Sequence, residues 1–97
     1  MKSIEQIKMI LHQHADELGK RYGIANLAVF GSVARGEATE NSDIDIFAEV
    51  TRPIGMIALC AAENYLTELL ETKVDLVLRR SIRNELRDRI IGEAIAV

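Results

Sequence analysis

Phe30-Gly31-Ser32-Val33-Ala34-Arg35-Gly36-Glu37, followed by Ser42-Asp43-Ile44-Asp45-Ile46, is the stretch on which the fold turns. A short apolar run ends in Gly-Ser, and ten residues later two aspartates stand one residue apart at the head of a second apolar run. Alternation along a strand puts Asp43 and Asp45 on one face and Ile44 and Ile46 on the other. Two carboxylates side by side on a mostly apolar strand repel each other and lose hydration, so the pattern calls for a cation between them. A divalent metal with oxygen ligands is the usual remedy. Beside a glycine-containing turn, its usual task is to handle a nucleotide.

The rest of the chain bounds this reading. Ninety-seven residues, 48% hydrophobic and 28% charged, suit one soluble domain spanning residues 1–97. A chain of this size buries somewhat over 60% of its unfolded surface, enough for a core with little to spare. Room for a separate recognition domain is lacking, so a partner chain is expected to supply part of the substrate or the specificity. The net charge of −3 argues against a protein that coats nucleic acid, and direct nucleic-acid binding is not expected. Cys60 stands alone and can form no internal disulfide, and no apolar run approaches a membrane span; a cytoplasmic setting is expected.

Outward from the central stretch, the periodicities alternate between helix and strand. Ser3 and Gln6 make a capping box, and Ile4, Ile7, Ile10, Leu11, His14 and Leu18 predict one amphipathic helix to about residue 21, ended by Tyr22-Gly23. Leu27 to Phe30 reads as a buried strand, Gly31 to Asn41 as a polar loop opening with a helical turn, and Asp43 to Val50 as a second strand. After Pro53, a helix from about Gly55 to Glu71 carries Ile57, Leu59, Ala62, Tyr65, Leu66, Leu69 and Leu70. Lys73 to Leu78 is the third strand, and Ser81 can cap a last helix to Gly92 with Ile82, Leu86, Ile90 and Ile91 apolar. The order is α-β-α-β-α-β-α, an α/β chain of the α+β type. For Gly31 to meet Asp43 and Asp45, the first two strands have to run antiparallel. For Asp75 to join them, the third has to lie parallel to the second, through a crossover. A mixed three-stranded sheet results.

Asp75 is the third acid. Val74, Leu76 and Leu78 share one face of its strand, and a lone carboxylate inside such a run is costly to bury unpaired. Beside Asp43 and Asp45 it completes a cluster suited to two Mg2+ ions roughly 3.5–4 Å apart, the clamp for in-line displacement at phosphorus. Asp43 and Asp45 are assigned to bridge both metals. Asp75 is assigned to the metal that activates the attacking hydroxyl, as ligand or also as general base. Mn2+ suits the same all-oxygen ligands. Gly31 lets the backbone approach a phosphate and Ser32 adds a hydroxyl donor. Arg35 can reach a triphosphate or pair with Glu37 or Glu40, and Ser42 can orient a metal-binding carboxylate. Two other phosphate motifs fail. Glu37-Ala38 stands where a Walker A loop needs Lys-Ser/Thr, and Val33 where a dinucleotide fingerprint needs glycine.

Elsewhere the residues read as structure. Arg79, Arg80, Arg83, Arg87 and Arg89 form a solvated basic face balanced by Glu85 and Asp88, His12 and His14 lack a further ligand at metal spacing, Cys60 reads as a buried small hydrophobe, and Tyr65 as core.

Gly31-Ser32, ten residues, Asp43-Ile44-Asp45 and a later Asp75 resemble the signature of the DNA polymerase β-type nucleotidyltransferase superfamily. The fuller string Gly-Ser-Val-Ala-Arg-Gly-Glu…Ser-Asp-Ile-Asp-Ile resembles its minimal nucleotidyltransferases in particular. That resemblance implies a nucleotidyltransferase fold and an antitoxin that moves AMP from ATP to a tyrosine hydroxyl of a HEPN-domain ribonuclease toxin. Two rival readings share the residues: transfer to a small-molecule hydroxyl, as in aminoglycoside nucleotidyltransferases, and a non-catalytic nucleotide-sensing module that masks its partner.

Overall fold

The computed structural model describes residues 1–97, and its first helix begins where Ser3 caps it. Ser3 Oγ accepts the Gln6 N–H at 3.1 Å while Gln6 Oε1 accepts the Ser3 N–H at 2.8 Å, the reciprocal pair that this spacing favours. The helix does not run unbroken to residue 21. It divides at His14 into α1 (Ile4–Gln13) and α2 (Ala15–Tyr22). His14 Nδ1 lies 2.8 Å from the Ile10 carbonyl oxygen, which also receives the His14 N–H at 3.2 Å. A side chain that competes for a helical carbonyl in this way bends the axis. Gly23, at φ 72°, closes α2 in the left-handed conformation that its missing Cβ permits.

Strand β1 (Ile24–Phe30) starts earlier than its apolar pattern suggests, because a bulge at Asn26 (φ 52°) interrupts the alternation. A four-residue helix, α3 (Gly31–Ala34), follows at once. Then come β2 (Ile44–Val50), α4 (Met56–Leu70), β3 (Val74–Leu78), a 3-10 turn at Arg79–Ser81 and α5 (Asn84–Glu93). Last is β4 (Ile95–Ala96).

The sheet order is β3-β2-β1-β4, with β1 antiparallel to β2 and β2 parallel to β3, the arrangement that convergence of Gly31, Asp45 and Asp75 requires. It has four strands and not three. β4 pairs antiparallel with β1 through Ala28↔Ala96 and Val29↔Ile95. Two residues are too few for a period to show in the sequence.

One face of the sheet carries Leu27, Val29, Ile44, Ile46, Ala48, Val74, Leu76 and Leu78. Ile7, Leu11, Leu18, Ala62, Leu66 and Leu70 pack on it from α1, α2 and α4. Burying each of the larger side chains contributes about 1.5–3 kcal/mol. The other face is thinner: Ala28 and Phe47 meet Ile82, bordered by Phe30, Val77, Ile90 and Ala94. The edge of β3 is sealed by α4, where Thr67 Oγ1 accepts the Val74 N–H at 3.1 Å and Glu63 Oε2 accepts the Leu76 N–H at 2.9 Å. Side-chain caps of this kind satisfy an edge that would otherwise template another strand.

Several readings of single residues change. Cys60 is exposed and Ile57 is 87% exposed, because α4 turns only its Ala62-Leu66-Leu70 stripe to the sheet. Tyr65 lies at the rim of the core, stacked 4.7 Å from Tyr22 and donating its hydroxyl to Glu17 at 2.8 Å. Ser81 caps nothing; it ends the 3-10 turn, and α5 begins after Arg83 without a side-chain cap. Leu86 and Ile91 are exposed, leaving Ile82 as the buried anchor of this segment. Arg79 departs from a solvated face: it pairs with Glu49 and stands over the Phe47 ring, 5.7 Å from its centroid. No helix is long and apolar enough to cross a membrane.

Candidate functional site

The site forms where β1 ends and β2 and β3 begin, on the sheet face opposite the main core. Pleating puts Asp45 and Phe47 of β2 on that face, together with Asp75 and Val77 of β3. Asp45 and Asp75 are direct register partners across the parallel pair, and Phe30 faces Asp45 from β1. Neighbouring strands lie about 4.8 Å apart, so the two carboxylates issue from adjacent backbones on the same side. Asp43 comes two residues before Asp45, at the mouth of β2.

Gly31 holds the opposite wall. Its φ is 72°, a conformation that L side chains rarely adopt, and the place where a Cβ would stand is filled by Oδ2 of Asp45. The glycine therefore serves two needs, the turn into α3 and the close approach of a carboxylate. α3 and its exit are tied by Arg35 N–H to Gly31 O at 3.1 Å and Glu37 N–H to Ser32 O at 2.9 Å. Ser32 sits half-buried in the first turn.

Asp45 carries the electrostatic strain. Partial burial pushes its pKa above the ordinary aspartate value, and the charges of Asp75 and Asp43 push it the same way. Arg35 opposes this and Glu93 adds to it. The nearest cation to Asp43 is Lys73 Nζ, at 3.9 Å and largely exposed. Arg35 and Lys73 thus offset the acids only in part, and the pKa of Asp45 stays raised.

Whether these residues fit a divalent ion turns on their donor chemistry. They offer carboxylate oxygens only, the donor class of Mg2+ and Mn2+. No three His, Cys, Asp or Glu side chains enclose a common point. The acids are therefore not gathered into a ready-made cage; Mg2+ is commonly held by one or two carboxylates with the remaining positions left to phosphate oxygens and water. The fit is to a site shared with a phosphorylated substrate, not to a closed structural metal cage.

Two expected phosphate or second-layer residues are engaged elsewhere. Arg35 Nε donates to Glu37 Oε1 at 3.2 Å and Arg35 Nη1 to Glu93 Oε1 at 3.2 Å; Glu40 takes no part. Ser42 Oγ accepts the Thr39 N–H at 2.9 Å and lies 3.3 Å from Thr39 Oγ1, so its hydroxyl shapes the turn before β2 and makes no hydrogen bond to a carboxylate. Sequence reasoning missed Glu93, whose Oε1 also accepts the Gly31 N–H at 3.3 Å. The packing of α5 against β1 and α3 and the pairing of β4 with β1 bring it there, and no local pattern announces either.

Comparison with known proteins agrees with this geometry. Residues 11–97 match the family model described as a nucleotidyltransferase domain. A Methanocaldococcus jannaschii protein, MJ0126, provisionally named a protein adenylyltransferase, is 46% identical over 93 residues, 96% of this chain and 95% of its own. The protein adenylyltransferase MntA of Thermococcus cleftensis is 36% identical over 97 residues, 100% of this chain and 98% of its own. A solved structure provisionally described as a minimal nucleotidyltransferase superposes with a TM-score of 0.81 at 31% identity, covering 99% of this chain and 97% of that one. A crystal structure of a toxin–antitoxin with AMP-PNP superposes with a TM-score of 0.69 at 25% identity, covering 95% of this chain and 69% of that one.

Proposed function

The chain belongs to the nucleotidyltransferase domain family, and from that premise we propose that it is a protein adenylyltransferase acting as the antitoxin of a toxin–antitoxin pair. It transfers AMP from ATP to a hydroxyl, that of a tyrosine, on a HEPN-type ribonuclease partner and releases pyrophosphate. The observation that carries the proposal is the register pair Asp45–Asp75 with Gly31 closed against Asp45. Near full-length similarity to the adenylyltransferase MntA supports the acceptor class. Similarity to the toxin–antitoxin structure with AMP-PNP supports both the partner and the nucleotide.

Asp43, Asp45 and Asp75 would hold Mg2+, which supplies neutralisation of the triphosphate and a lowered pKa for the attacking hydroxyl. The chain's own residues do the rest. The backbone at Gly31 and the hydroxyl of Ser32 donate to phosphate oxygens, fixing the α-phosphorus against the acids. Asp75 is half-buried on the face away from α4, beside Asp45 in register, and its carboxylate takes the proton of the incoming hydroxyl. The O–Pα bond forms as the bond from Pα to the bridging oxygen breaks, and pyrophosphate departs with those electrons. A cytoplasmic setting, rich in ATP and reducing towards Cys60, suits this chemistry.

The decisive test incubates the purified chain with α-labelled ATP, Mg2+ and the partner toxin. Label on the toxin, lost with Asp43→Ala/Asp45→Ala, is the expected result. A double variant that still protects cells from the toxin at normal expression would establish steric masking and overturn the transferase account of neutralisation.

A further inference from the structure

Glu93 stands at the junction of α5 and β4. Continuing the β1–β4 register outward from Val29↔Ile95 places Ala94 opposite Phe30 and Glu93 opposite Gly31. The ladder stops there, and the Glu93 side chain substitutes for it. Its Oε1 accepts the Gly31 N–H at 3.3 Å and a hydrogen bond from Arg35 Nη1 at 3.2 Å. The carboxylate is sheltered, its side chain only 22% exposed.

A carboxylate oxygen is the same kind of acceptor as a phosphate oxygen, an anion that draws charge-assisted hydrogen bonds from amides and guanidinium groups. Of the two donors it occupies, the Gly31 N–H belongs to the backbone assigned above to the phosphates, and Arg35 is the cation that can reach them. A phosphate oxygen on the Gly31 N–H would have to share it with Glu93 or displace it, and a second anion at that place would meet the Glu93 charge at close range.

We propose that Glu93 is an internal competitor for the nucleotide's phosphates, holding the Gly31 N–H and the Arg35 guanidinium in the nucleotide-free chain and swinging out when a triphosphate enters. The inference rests on the reading of Gly31 and Arg35 as phosphate contacts. Its release requires little. The side chain turns about its own bonds, and the strand behind it is held by two ladder pairs and the Val97 N–H to Leu27 O bond. Arg35 keeps Glu37 as a partner when Glu93 leaves, so the guanidinium stays beside the site. Glu93 thereby sets the nucleotide affinity, weakening it by the strength of the contact it surrenders.

The test is Glu93→Gln, which keeps the shape and removes the charge, with Mg2+ and a non-hydrolysable ATP analogue titrated by calorimetry. The expected result is binding roughly tenfold tighter than in the wild type, the difference between a charged and a neutral acceptor on these donors. Adenosine, which lacks the phosphates, should bind wild type and variant alike. Glu93→Asp, which withdraws the carboxylate by one methylene, should shift affinity in the same direction by less. Unchanged or weaker binding of the analogue in a folded Glu93→Gln overturns the proposal, as does a change shared equally by adenosine. If the wild type binds the analogue and Asp43→Ala/Asp45→Ala does not, a flat Glu93→Gln result removes the competitor alone and leaves the nucleotide site standing. If neither wild type nor Glu93→Gln binds it, the phosphate reading fails and the competitor falls with it.

Discussion

The carboxylate of Asp45 rests against the bare Cα of Gly31, in the space where any other residue would carry its Cβ. The end of one strand and the start of its antiparallel neighbour are thus interlocked. Glycine at this position sets the turn and the position of an acid in one contact.

Replacing that glycine tests the interlock. In Gly31→Ala the methyl displaces the Asp45 carboxylate, and the residue is held at φ 72°, which costs an L residue about 1–2 kcal/mol. The expected outcome is a lower Tm and a transferase rate reduced on the order of a hundredfold, as a displaced reacting group commonly produces. A variant with wild-type turnover would show that Asp45 works from elsewhere.

Asp45 makes the stability of the metal-free chain depend on pH in a stated direction. Burial first, then Asp75 and Asp43, raise its folded pKa above the ordinary 3.8. The stability this proton contributes is present below that ordinary value and lost as pH rises through the raised one. Neutralising the acid should remove the loss. Asp45→Asn is expected to melt a few degrees higher than wild type at neutral pH without metal, and to have a flatter stability profile from pH 3.8 upward. Added Mg2+ should stabilise the wild type and leave Asp45→Asn nearly unmoved. Thermal melts across a pH series, with and without Mg2+, read both effects.

Asp75 and Asp45 can be separated by kinetics. Asp75→Asn keeps the side-chain shape and removes the proton acceptor. We expect kcat to fall by about 10²–10⁴-fold, the usual range for a lost general base, with a small change in KM for ATP. A large rise in KM with kcat preserved would reassign Asp75 to nucleotide binding.

The two faces of α4 should respond unequally to the same kind of truncation. Leu66 is fully buried and Ile57 is 87% exposed, although both are large apolar residues of one helix. Leu66→Ala should cost about 2–5 kcal/mol in denaturant unfolding. Ile57→Ala should stay within about 0.5 kcal/mol of wild type. Similar losses at both positions would contradict the orientation of the helix.

Much of this protein is written in short-range pattern. Period-two alternation around Asp43-Ile44-Asp45 and Val74-Asp75-Leu76 already sorts acids from core residues, because a strand's faces are decided by its neighbours along the chain. The directions of the three main strands follow from requiring Gly31 and the acids to meet. Ser3, Gln6 and Gly23 declare helix ends through bonds and backbone angles that span a few residues.

What escaped that pattern involves partners distant in sequence or competition between them. The bend at His14 depends on an imidazole finding the Ile10 carbonyl, and the apolar period runs straight through it. Cys60 and Ile57 look buried in a broad apolar helix, yet the sheet has room for only one stripe of α4. β4 exists because Ile95 and Ala96 find β1 from across the chain, a pairing two residues long that no periodicity can signal. With β4 comes Glu93 at Gly31, 62 positions away in sequence. Local chemistry chose which residues could act; only the assembled sheet decided which of them touch, since contact across such a separation is a property of the packed whole.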